Sequence, residues 1–141
     1  MDYKSELNEL ILTLVKESAS DLHLNVGSKP IVRINGELLD LMNKNILSSA
    51  DTIEFLKLMV SERIFNNFVI NQELDFPYEH LGEYRLRGNA YFEKGFVSVT
   101  LRLVPKPKNF EQLSLPSILT DISKAKQGLF LVVGPVRQGK S

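Results

Sequence analysis

The chain of 141 residues has no cysteine and no tryptophan. Without thiols there is no disulfide framework, no thiolate nucleophile and no cysteine-ligated zinc or iron–sulfur site, which leaves chemistry built on histidine, carboxylate, hydroxyl or phosphate binding. Nor is there an excess of charge of one sign, since 17 lysine and arginine residues balance 17 aspartate and glutamate residues. No global field exists to hold a polyanion, so any nucleic-acid or anion contact has to come from a local patch. Long apolar runs are missing as well. Stretches such as Leu129 to Val133 fall far short of the roughly 20 residues a membrane span requires, and the N-terminus is acidic and polar rather than signal-like. The expectation is a cytoplasmic protein without a membrane span, its sequence 43% hydrophobic and long enough to bury a core.

What is present is periodic. Leu7, Leu10, Ile11, Leu14 and Val15 form one apolar stripe, predicting an amphipathic helix from about Tyr3 to Ser18 with Asp2 as its N-cap. Leu22, Leu24 and Val26 then alternate with Asp21, His23 and Asn25, the pattern of a half-buried strand that stops at Gly27-Ser28. Pro30 opens a short strand through Ile34, and Asn35-Gly36 predicts a tight hairpin into Glu37 to Leu41, because both turn residues tolerate positive φ. Ser48 or Ser49 is expected to cap a helix with Ile53, Leu56, Met59 and Val60 inward, followed by a second helical stretch from Ile64 to Ile70.

Three strand-like runs follow, Glu73 to Tyr78, Glu83 to Phe92 and Phe96 to Val104, as an antiparallel meander. The last pair has a predictable register. Only if Glu93 meets Phe96 do Tyr84, Leu86, Ala90 and Phe92 share a side with Val97, Val99, Leu101 and Leu103. That pairing sets Arg87 directly opposite Arg102, with Arg85, Asn89 and Thr100 around them. Like charges opposed across a ladder are mildly destabilising unless an anion sits between them, which makes the pair a candidate anion contact. The alternatives are solvated strand charges, or ion pairs with Glu93 and its neighbours. His23 and His80 lack a third ligand and read as hydrogen-bonded structural histidines, while Glu73, Asp75 and Glu83 are assigned to the surface.

Pro105-Lys106-Pro107-Lys108-Asn109 reads as a linker. After it come a weak helix over Leu113 to Ala125, a stop at Lys126-Gln127-Gly128, and Leu129 to Val133 as a strand suited to burial on both faces. Gly134-Pro135-Val136-Arg137-Gln138-Gly139-Lys140-Ser141 fits the phosphate-binding pattern G-x-x-x-x-G-K-[ST]. Its glycines let backbone N–H groups curl around an anion, Lys140 is placed to reach the β- and γ-phosphates, and the Ser141 hydroxyl is placed to ligate Mg²⁺. Arg137 stands where many such loops carry glycine, adding a cation but removing a permissive backbone position. It reads as a solvent-facing loop charge. The helix whose N-terminus completes an anion site would open at Lys140 and Ser141, so these residues alone are not expected to form an intact cradle.

Several of these segments resemble, in order, those of the PilT-type ATPases, the type IV pilus retraction (twitching motility) branch of the secretion ATPase superfamily. Ala19-Ser20-Asp21-Leu22-His23-Leu24 and Pro30-Ile31-Val32-Arg33-Ile34-Asn35-Gly36-Glu37-Leu38 resemble the family's opening. Arg85-Leu86-Arg87-Gly88-Asn89-Ala90-Tyr91 resembles its R-x-R-x-N-x-F strand, and Leu101-Arg102-Leu103-Val104-Pro105 its F-R-x-I-P segment. Leu113-Ser114-Leu115-Pro116 and the P-loop follow in the family's order.

The resemblance implies an α/β (α+β) fold: a PAS-like N-terminal domain over residues 1–104, a linker over 105–112, and over 113–141 the start of a RecA-like ATPase core. It implies ATP and Mg²⁺ as ligands, and Arg87 and Arg102 as phosphate contacts from a neighbouring domain or subunit, with Arg85 in reserve. The implied partners are further copies of the chain in a homo-hexameric ring and the pilus platform proteins of the inner membrane, with no nucleic acid. Location would be cytoplasmic and peripheral to that membrane. The departures from the family pattern are Gly88 where valine is usual and Val136-Arg137-Gln138 where Thr-Gly-Ser is usual. The family's Walker B strand, catalytic glutamate and histidine motif lie further along than Ser141, so the chain is expected to be an N-terminal fragment that does not hydrolyse ATP by itself.

Two other classes of function are compatible with the residues. One is a non-catalytic PAS-like assembly module. The other is single-stranded nucleic-acid binding, since Arg87-Gly88-Asn89-Ala90-Tyr91-Phe92 echoes an RNA-recognition strand, although Asn89 and Lys94 replace two of its stacking aromatics.

Overall fold

The computed structural model describes residues 2–135. The chain divides into two compact units, 1–105 and 106–141. In the first unit, α1 (Tyr3–Lys16) begins as its sequence predicts, with the Asp2 side chain accepting from the Ser5 N–H and Leu7, Leu10, Ile11 and Leu14 buried. Strands β1 (Asp21–Leu24), β2 (Ile31–Ile34) and β3 (Glu37–Asp40) follow. The β2–β3 hairpin closes through Asn35 and Gly36, with φ of 51° and 91°, the two positive values that match the twist of the flanking strands.

Helix α2 (Ser49–Met59) is capped by Ser48 in a reciprocal box with Asp51. Its inward face is broader than expected. Leu56 and Met59 are buried and Ile53 and Val60 pack partly buried against the same core, joined by buried Thr52 and by Phe55, which meets Tyr3 edge-on at 5.6 Å. Helix α3 (Glu62–Asn71) ends at Gln72 in the left-handed region, and Phe68 anchors it by stacking on Phe92 at 5.1 Å. The meander β4 (Glu73–His80), β5 (Tyr84–Glu93) and β6 (Phe96–Val104) completes the unit.

All six strands form one antiparallel sheet in the order β3-β2-β1-β6-β5-β4. The insertion of α2 and α3 between β3 and β4 lets the chain return so that β6 pairs with β1 in the middle. One face carries Leu22, Leu24, Val32, Phe76, Leu86, Ala90, Val97, Val99 and Leu101 into the core beneath the helices. The opposite face is polar. This is the mixed α/β architecture, an antiparallel sheet with packed helices, that the resemblance implies.

The second unit departs from two expectations. The helix over Leu113 to Ala125 is reduced to α4 (Ile118–Lys124). Pro116 disfavours helical backbone at the residue before it, and Ser114 sits at φ 53°, so the helix starts only beyond the proline. Leu129 to Val133 form no strand and stand between 54% and 84% exposed. A run built for burial on both faces needs a neighbouring strand on each side, and none is present among the described residues of this unit.

Candidate functional site

Residues directly opposite in an antiparallel ladder share a face. On the polar face the register aligns Pro77, Arg87, Arg102, Asp21 and Arg33 in one row across five strands, and Asp75, Asn89, Thr100 and His23 in the row beside it. Glu93 meets Phe96 and Arg87 meets Arg102, the pairing that the alternation predicts. The arginines do not require a ligand between them to tolerate this opposition, because each leans toward a carboxylate on its far side. Arg102 Nε donates to Asp21 Oδ1 at 2.7 Å on β1, and Arg87 Nη2 lies 3.4 Å from Asp75 Oδ2 on β4. Of the alternatives, ion pairing is what forms, but with Asp21 and Asp75 in place of Glu93.

The two carboxylates differ in kind. Asp21 is 3% exposed. Its Oδ2 accepts from the Ser20 hydroxyl at 2.7 Å and faces Arg33 Nε at 3.5 Å, while Arg33 Nη1 donates to the Gly36 carbonyl at 3.0 Å. Burial pushes the Asp21 carboxyl up, but the hydrogen bonds from Ser20 and Arg102 and the charge of Arg102 outweigh it, leaving the group below its ordinary 3.8. Asp75 is exposed, and its other oxygen accepts from Asn89 Nδ2 at 3.1 Å. Asn89 therefore belongs to this polar row and offers no stacking surface.

His23 meets Thr100 Oγ1 through Nδ1 at 3.2 Å, and burial holds its imidazole below the ordinary 6.5, with Arg33 and Arg102 also lowering it against the pull of Asp21. His80, buried at the end of β4, bonds Asn8 Oδ1 at 3.0 Å and lies 3.4 Å from the Tyr78 hydroxyl. Both histidines are hydrogen-bonded to side chains of other elements, while His23 Nε2 is buried without a hydrogen-bond partner. No cluster of metal-ligating side chains occurs among the described residues.

Both guanidinium groups of the pair are open to solvent. The side chains of Arg87 and Arg102 are 71% and 70% exposed. The two terminal Nη groups of Arg102 have no protein partner among the described residues. Arg85, two residue pairs along the ladder, lines with Arg87, Asp75, Pro77 and Val104 an open cavity of about 690 Å³. Of the phosphate-loop sequence, Gly134 and Pro135 are described and exposed. Val136, Arg137, Gln138, Gly139, Lys140 and Ser141 lie outside the described residues.

Sequence reasoning found the arginine pair but missed Asp21 and Arg33 as parts of the same row. The available signal was Asp21 on the polar side of an alternating strand, but it becomes a partner of Arg102 only once β1 is known to lie beside β6, 81 residues away.

No protein-family model matches the chain. It is 30% identical over 137 residues to the type IV pilus ATPase PilU of Pseudomonas aeruginosa, covering 96% of this chain and 36% of that protein. To the type IV pilus retraction ATPase PilT of the same organism it is 29% identical, covering 96% and 40%. Escherichia coli YggR, which carries no assigned function in its name, is 32% identical over 136 residues, covering 96% of this chain and 40% of that one. The crystal structure of the pilus retraction motor PilT with bound ADP superposes with a TM-score of 0.82 at 30% identity, over 94% of this chain and 39% of that one. The Legionella pneumophila ATPase DotB shares the fold, with a TM-score of 0.67 at 20% identity over 88% and 36%. The chain thus spans between 36% and 40% of the length of the curated relatives it matches.

The antiparallel sheet with helices on its inner face is the fold of the corresponding part of PilT, an ATPase of the secretion superfamily. Within that superfamily the chain belongs to the PilT-type ATPases and corresponds to their N-terminal part.

Proposed function

We propose that the chain is the N-terminal part of an ATP-binding motor ATPase whose hydrolysis cycle drives pilus retraction, the twitching-motility function. Residues 1–104 form the PAS-like domain, 105–112 the linker and 113–141 the beginning of the RecA-like core. The observation that carries this reading is the pair of exposed guanidinium groups on adjacent strands, in a domain whose structural counterpart belongs to a retraction motor with bound ADP.

In this reading backbone N–H groups from Gly134 to Gly139 cradle the phosphates, Lys140 reaches the β- and γ-phosphates, and Ser141 ligates Mg²⁺. Arg87 and Arg102 approach the nucleotide across a domain or subunit boundary and neutralise charge that develops on the transferred phosphoryl group. Such a boundary requires further copies of the chain, in keeping with a homo-hexameric cytoplasmic ring docked on the platform proteins of the inner membrane. No helix among the described residues is long and apolar enough to cross a membrane. In the full protein Lys140→Ala abolishes ATP hydrolysis; unchanged turnover would overturn the reading.

A further inference from the structure

Arg102 and Arg87 are held in different ways, and the difference lies in which nitrogen each one spends. Arg102 gives Asp21 its Nε, at 2.7 Å, and keeps both Nη groups clear of protein partners among the described residues. Arg87 gives Asp75 a terminal Nη2, at 3.4 Å, in a pair that is 71% and 58% exposed on its two sides. A solvated pair of that kind holds its arginine weakly.

The Asp21–Arg102 contact is single-pronged for a reason visible around the carboxylate. Carboxylates commonly grip a guanidinium with both oxygens at once. Here Oδ2 is already engaged by the Ser20 hydroxyl at 2.7 Å and by Arg33 Nε at 3.5 Å, so only Oδ1 remains for Arg102. We propose that Asp21 is a positioning residue for Arg102: its buried carboxylate grips the guanidinium by Nε and leaves the terminal donors aimed outward, ready for a phosphate. Arg33 ties the same carboxylate to the Gly36 carbonyl, so the β2–β3 hairpin belongs to the support. Arg102 is then pre-organised for an anion, whereas Arg87 has to leave Asp75 to reach one. This inference rests on the reading that Arg102 meets nucleotide phosphate.

The test is a double-mutant cycle on ATP hydrolysis by the full protein. Asp21→Asn keeps the shape and one acceptor oxygen but removes the charge. It should lower kcat about tenfold, with KM for ATP moving by less than about twofold, since misorientation of a transition-state contact acts on turnover. In an Arg102→Ala background the same substitution should cause no further loss, because Asp21 then has nothing to position. Independent, additive losses would mark Asp21 as merely structural and overturn the proposal. A full loss in Arg102→Ala with none in Asp21→Asn would overturn it while leaving the functional reading intact, and no loss in Arg102→Ala would overturn both.

A measurement on the unmodified 141-residue chain covers the case in which Asp21→Asn does not fold. The Arg102 Nε–H resonance should exchange with water slowly at neutral pH, more slowly than that of Arg85. Addition of inorganic tripolyphosphate should perturb the Arg102 Nη signals while Nε–H stays protected. An Nε–H of Arg102 that exchanges as fast as that of Arg85, or one released by tripolyphosphate, overturns the proposal.

Discussion

The ring of Phe76 on β4 occupies the space that a side chain at Gly88 on β5 would fill. The two residues are direct ladder partners, and a Cβ built at Gly88 would lie within 2.7 Å of three Phe76 ring carbons. The departure from the valine usual at this position is therefore a repacking within the core face, next to the strand residues that carry the arginines. Gly88→Val should destabilise the chain by about 1–3 kcal/mol through overpacking. Urea unfolding checks this, and adding Phe76→Ala should recover part of the loss, because the clash and the cavity compensate.

The cap of α2 offers a second check. Ser48 Oγ accepts from the Asp51 N–H at 3.3 Å, and Asp51 Oδ2 accepts from the Ser48 N–H at 2.7 Å. Ser48→Ala should cost about 1 kcal/mol in thermal or urea unfolding. The fold should otherwise be unchanged by circular dichroism.

Lys44 lies in the loop before α2 with its side chain 8% exposed, bonded to Glu6 at 3.0 Å and Glu9 at 2.8 Å on α1. Lys44→Ala leaves these carboxylates without their cation and should cost about 1–3 kcal/mol. Raising the salt concentration should reduce that difference only modestly, since the ammonium is shielded from solvent.

Stability should fall with pH in two steps. Burial holds His80, and burial aided by Arg33 and Arg102 holds His23, below the ordinary 6.5, so the unfolded chain binds more protons than the folded one as pH drops below that value. Their contribution is fully present above 6.5 and is lost as pH falls through their folded values. Asp21 behaves alike from a lower start. Its folded value lies below the ordinary 3.8, so its contribution persists to more acidic pH and disappears as the carboxylate protonates. Urea midpoints measured across pH should show both steps, and His80→Gln should diminish the upper one.

The helix start at Asp2, the cap at Ser48, the Asn35-Gly36 hairpin and the β5–β6 register were legible because each depends on neighbours in sequence or on strict alternation. The opposed arginines followed from the register alone. What alternation could not reveal was their counter-charges, since Asp21 reaches Arg102 only through the β1–β6 pairing and Asp75 reaches Arg87 through β4. The inward turn of Phe55 was likewise decided by its contact with Tyr3 on another helix. Leu129 to Val133 has the composition of a central strand but lacks the neighbours that would make it one among the described residues.

Steady-state ATP hydrolysis by the full protein with Arg102→Ala tests the central claim most directly. If Arg102 meets charge that develops on the transferred phosphoryl group, kcat should fall about a hundredfold or more while ATP affinity changes by less than about tenfold. Turnover equal to that of the unsubstituted protein would contradict the account.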